Sequence, residues 1–194
     1  MPFTIAQFVD VLKQKVDYIQ LFSRFGMNSE GWLHAELVHF LYEQQVAGLI
    51  SKFKPQAQAN STTMTREIHD LCIKIDENLV WCELKSFCTN YCGSPGKNIT
   101  NRIDGILSAM SRVHQRSEGA AEVPLVLALL YPFCDGEQER VAWGKHWVKL
   151  TSGPLPNHWD CRIAFPNSRN AYARLIAWTS PLGLYMLPSP QSDA

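Results

Sequence analysis

Two short apolar runs, Ile68-His69-Asp70-Leu71-Cys72-Ile73 and Val80-Trp81-Cys82-Glu83-Leu84-Lys85, constrain the fold of this chain more than any other feature. Each has the length of a strand, and each carries charge in an apolar setting. Asp76-Glu77-Asn78 between them has the composition of a hairpin turn. Side chains on a strand alternate faces. Leu79, Trp81, Glu83 and Lys85 therefore share one face, and Val80, Cys82 and Leu84 the other. A carboxylate and an ammonium on one face of a buried strand persist only when paired or bound to a metal. Asp70, on the neighbouring strand, offers a second carboxylate.

Twelve residues separate Asp70 from Glu83-Leu84-Lys85. That arrangement resembles the signature of the PD-(D/E)xK nuclease superfamily, the restriction-endonuclease-like fold, over roughly residues 31–133. His69 stands where that pattern usually has Pro. The resemblance implies an α/β domain with a restriction-endonuclease-like core, a central mixed β-sheet flanked by helices. It implies a metal-dependent endonuclease acting on nucleic acid, with DNA the expected substrate, in a bacterial-defence or DNA-processing setting. Magnesium is the expected cofactor, with manganese able to substitute.

Phosphodiester hydrolysis needs a nucleophilic water, charge stabilisation at phosphorus and a protonated leaving group. A magnesium ion on hard oxygen ligands serves the first two needs. Asp70 and Glu83 suit such an ion, with the Leu84 carbonyl as a further ligand. Lys85 can orient or deprotonate the water, or stabilise developing charge. The first core helix of the superfamily often supplies a Glu to the metal site, and Glu36 is the match here. A buried Glu–Lys or Asp–Lys ion pair is the structural alternative. A non-catalytic nucleic-acid- or protein-binding module keeping the fold, and hydrolysis of another phosphoester, also stay open.

The rest of the chain sets the context. Residues 4–25 have the apolar spacing of one amphipathic helix, with Thr4 and Gln7 as a capping box and Gly26 as its stop. Residues 31–51 read as a second, largely buried helix on which Glu36, His39 and Glu43 form a narrow polar stripe needing partners or a metal. Residues 52–66 are polar; 62–66 is the candidate first strand. Residues 86–98 read as a loop and 99–115 as a helix with Arg102, Arg112 and Arg116 beside its apolar face. That basic stripe is either a phosphate contact or a solvated flank. Residues 123–133 form a buried strand, 136–150 a helix, and 159–165 and 172–179 two more strands. Residues 1–187 are thus expected as one domain, and 188–194, rich in Pro and Ser, as a tail without fixed structure.

Eighteen basic residues balance eighteen acidic ones, so any basic surface must be local. The start lacks the features of a signal peptide, and no apolar run reaches membrane-spanning length, so a cytoplasmic protein without a membrane is expected. The six cysteines then read as buried reduced thiols. Cys88 and Cys92 make one short pair without matched histidines, too little for a zinc site. A homodimer is left open.

Overall fold

The computed structural model describes residues 4–58, 68–89, 91, 99–116, 121–168 and 170–188. Three helices lead: α1 (Ile5–Gln14), α2 (Val16–Phe25) and α3 (Glu30–Val46). Three antiparallel strands follow, β1 (Lys52–Gln58), β2 (Ile68–Ile75) and β3 (Asn78–Cys88). Helix α4 (Thr100–Arg116) then crosses over so that β4 (Glu122–Cys134) lies parallel to β3. Helix α5 (Glu137–Thr151), β5 (Asn157–Ala164), β6 (Ala171–Thr179) and a 3-10 turn (Pro181–Met186) complete the order. The result is a six-stranded mixed sheet, β1-β2-β3-β4-β6-β5, flanked by helices.

Strand alternation divides the core between the two faces of this sheet. Val80, Cys82 and Leu84 pack with Leu71, Ile73, α1 and the Leu33–Leu37–Leu41 side of α3. Phe87, Val126, Ala128 and Leu130 pack against α4 and α5 through Ile103, Ile106, Met110, Val113 and Trp143. β4 is buried along nearly its whole length because it is central and covered on both faces.

Several expectations need correcting. The first helix is broken at Lys15, whose φ of −112° and ψ of 20° leave the helical region. The break divides the apolar stripe into Phe8–Leu12 on α1 and Ile19 on α2, and it frees Lys15 to meet Glu36. The first strand is Lys52–Gln58; residues 62–66 lie outside the described residues. β1 is polar because it is an edge strand, where Lys52, Lys54, Pro55 and Gln56 face solvent. The stripe on α3 is not internal: His39 and Glu43 are exposed. Residues 86–88, read as loop, continue β3. The thiols are not all reduced: Cys134 is disulfide-bonded, whereas Cys72, Cys82, Cys88 and Cys161 are in no disulfide. Residues 189–194 and Cys92 lie outside the described residues. Among the described residues no helix is long and apolar enough to cross a membrane.

Candidate active site

The hairpin predicted at Asp76 is present, with Asp76 at a φ of 51° and Ile75 opposite Asn78. From there β2 and β3 run in register only as far as Leu71 opposite Cys82. Among the described residues no β2–β3 pair forms beyond it. On the other side of β2, the β1 ladder passes over Gln56 (φ 49°) and Asp70 between its Pro55–Leu71 and Ala57–His69 partners. Backbone groups released from a ladder must find other partners. Leu84 finds them in the motif itself. Its N–H donates to Asp70 Oδ2 (2.7 Å), and its carbonyl accepts from Lys85 Nζ (2.8 Å). The Asp70 carbonyl accepts from His34 Nε2 of α3 (3.3 Å).

The irregularity also redirects His69. Regular alternation would send it toward α3 with Leu71 and Ile73. Instead its ring centroid lies 5.2 Å from that of Trp81, and its Nδ1 donates to Glu83 Oε1 (3.1 Å). Glu83 is 4 % exposed. Its second oxygen, Oε2, accepts from Arg112 Nη2 of α4 (2.8 Å). Burial alone would push the Glu83 carboxyl up. Hydrogen bonds from His69 and Arg112, with the charges of Arg112 and Lys85, more than offset this and hold it below its ordinary value of 4.5. Arg116, one turn further on, places its guanidinium 5.0 Å from the Trp81 ring centre. Around that ring His69 Nε2, Trp81 Nε1 and Arg116 Nε are buried without a hydrogen-bond partner among the described residues.

Asp70 and Lys85 thus meet on the backbone of one residue, Leu84, and Glu83 joins His69 and Arg112. Glu36 does not join them; it pairs with Lys15. The α3 carboxylate that reaches the motif is Glu30. Its Oε1 lies 3.5 Å from Lys85 Nζ, and its Oε2 accepts from the Ser86 N–H (3.3 Å). Ser29 fixes that helix end by meeting Ser86 Oγ (2.6 Å) and Tyr131 Oη (2.8 Å). Of the three arginines, Arg102 is exposed, whereas Arg112 and Arg116 turn toward the sheet. Sequence reasoning missed Glu30 and His69 as members of the site. A histidine inside an apolar strand was the available signal for His69. Nothing in the periodicity of α3 distinguishes Glu30.

The metal implied by the resemblance would meet oxygen donors of the kind a hard cation takes: Asp70, Glu83 and the Leu84 carbonyl. Asp70 Oδ1 receives no hydrogen bond from the described residues, so one oxygen is open to an ion. The set fits in kind. Among the described residues, however, no three His, Cys, Asp or Glu side chains form a ready cage. Glu83 in particular has a donor on each oxygen.

A cavity of about 340 Å³ lies elsewhere, between α5 and the β4–β6–β5 end of the sheet, lined by Phe133, Trp143, Tyr172, Arg140, Arg162 and Arg174 among others. Arg174 there is already matched by Asp160 and stacks on Phe133 and Trp143, and Arg162 donates to Asp135 (3.2 Å). This is an ion-pair and aromatic stack joining β5 and β6. Comparison of the chain with protein-family models, with curated proteins and with solved structures finds no match in any of the three.

Proposed function

We propose that the chain is a magnesium-dependent nuclease of the restriction-endonuclease-like kind, acting on phosphodiester bonds with DNA as the expected substrate. The observation that carries this reading is the meeting of the Asp70 carboxylate and the Lys85 amine on the backbone N–H and C=O of Leu84, beyond the last β2–β3 pair. The order α3-β1-β2-β3-α4-β4, with an antiparallel meander and one parallel crossover, is the order the resemblance implies. Asp70, Glu83 and the Leu84 carbonyl would hold the ion, which supplies an activated water and charge neutralisation at phosphorus. Lys85 would orient that water or stabilise the developing charge. Glu30 steadies the Lys85 amine, while Glu36, expected at the metal, pairs with Lys15.

The reading is tested by incubating the protein with plasmid, linear duplex, single-stranded DNA and RNA, with magnesium or manganese and with chelator. Metal-dependent cleavage should be lost in Asp70→Ala and in Lys85→Ala. Calorimetry should show weaker magnesium binding in Asp70→Ala and retained binding in Lys85→Ala. A second reading, a binding module that keeps the fold without cleaving, is favoured by the closed His69–Glu83–Arg112 network. Binding of nucleic acid with no cleavage under any divalent ion would establish that reading in place of the first.

A further inference from the structure

The contact between Glu83 and Arg112 poses a problem for a metal site. The carboxylate side chain is 5 % exposed, and its Oε2 lies 2.8 Å from a guanidinium. A divalent cation entering there meets a positive charge already in place, in surroundings where water screens poorly. The two donors on Glu83 differ in how readily they can leave. His69 is 1 % exposed and held against Trp81. Arg112 is not enclosed: its side chain is 40 % exposed, and its other terminal nitrogen, Nη1, donates to Ser108 Oγ (3.2 Å) on its own helix. A guanidinium in that position can turn outward without unpacking the core. Phosphate is a strong competitor for it, because arginine binds phosphate oxygens bidentately.

We propose that Arg112 is a latch shared between Glu83 and a backbone phosphate of the nucleic-acid substrate. With no nucleic acid present it neutralises Glu83 and opposes a divalent ion. When a phosphate draws it outward, Glu83 keeps His69 as its donor and exposes an oxygen to the ion. Binding of the strand and of the metal are then positively coupled, and by linkage each strengthens the other by the same factor. This rests on the nuclease reading and adds to it the device by which the site is assembled only on its substrate.

The experiment is calorimetric and needs no turnover. Magnesium is titrated into the wild-type protein, Arg112→Met and Glu83→Gln, each with and without a short phosphorothioate-linked duplex that keeps the phosphate charge and resists hydrolysis. The wild type should bind magnesium about tenfold more tightly with the duplex than without it. Arg112→Met should bind magnesium about tenfold more tightly than wild type in the absence of duplex, and the duplex should no longer add to that. Glu83→Gln should lose the coupling. Near-UV circular dichroism checks that Arg112→Met is folded. Should it not be, Arg112→Lys keeps the charge but not the fork, and should show a smaller gain of the same sign. Equal magnesium affinity in folded Arg112→Met and wild type, or no effect of duplex on the wild type, overturns the latch. Magnesium-dependent cleavage alongside that result would leave the nuclease reading standing. Absence of magnesium binding in every protein, with and without duplex, overturns the reading and the latch together.

Discussion

Glu83 shows how a single buried carboxylate is kept charged. Desolvation opposes ionisation, and two hydrogen-bond donors with nearby cations outweigh it. Its folded-state value therefore lies below that of the unfolded chain. A depressed carboxyl contributes stability at pH values above its unfolded value, and that contribution is lost as pH falls through the folded one. In metal-free protein the loss should begin near the ordinary value of 4.5 and continue below it. Glu83→Gln cannot gain or lose that proton. Urea titrations between roughly pH 5 and 3 should show the wild type losing more stability than Glu83→Gln across that range. Parallel curves for the two proteins would mean that the His69 and Arg112 contacts do not hold the charge. Removing Arg112 alone is the harsher change at neutral pH, because it leaves a buried charge with one donor fewer. With the Arg112 side chain 40 % exposed, the loss should be about 1–3 kcal/mol.

At the scale of elements, packing decides what a substitution does. Gly183 in the 3-10 turn has no room for a side chain. A Cβ there would come within 1.9 Å of Thr179 Oγ1 and 2.8 Å of Val123 Cγ1. Thr179 cannot yield easily, since it is buried and its hydroxyl donates to the Pro124 carbonyl (2.7 Å). Gly183→Ala should therefore destabilise the protein by about 1–3 kcal/mol. Gly144, in the exposed middle of α5, has nothing within 4 Å of its would-be Cβ. Gly144→Ala should stabilise by up to about 1 kcal/mol through helix propensity. Thermal unfolding of the two variants reads both signs; the reverse order would contradict the packing described for the turn. The same contrast explains what could be read in the chain beforehand. The β2–β3 hairpin, α4, β4 and β6 carry strong periodicity or long apolar runs, so their residues announced them. β1 carries neither, because an edge strand is only half covered, and so it passed for a polar connection. The break at Lys15 was hidden because apolar spacing continues across it. Asp70, Glu83 and Lys85 were legible as a motif. Their actual partners were less so: His69 was signalled only by its place inside an apolar strand, and Glu30, which arrives through a helix end, by no pattern in the chain.

On the nuclease reading, the whole molecule would have to draw its substrate to the site without a global field. Its formal net charge is zero, so steering by overall charge is absent and attraction must come from local groups. Helix α4 would carry them, since Arg112 reaches Glu83 and Arg116 reaches Trp81 of β3. Each phosphate contact made to duplex DNA contributes about 0.9 to the slope of log affinity against log salt. The three arginines are not equivalent in this respect. Arg102 is exposed, so Arg102→Gln should lower the slope by up to about 0.9 and leave folding unchanged. Arg116 stacks on Trp81, so Arg116→Gln should also reduce stability, a cation–π contact being worth about 0.5–2 kcal/mol. Replacing Arg102, Arg112 and Arg116 together should remove up to about 2.7 from the slope if all three reach phosphates. Affinities for duplex DNA measured across a salt series test this. A slope unchanged in the triple variant would move the contact surface off α4 altogether. It would leave Arg112 and Arg116 as cations that serve the buried Glu83 and Trp81 alone.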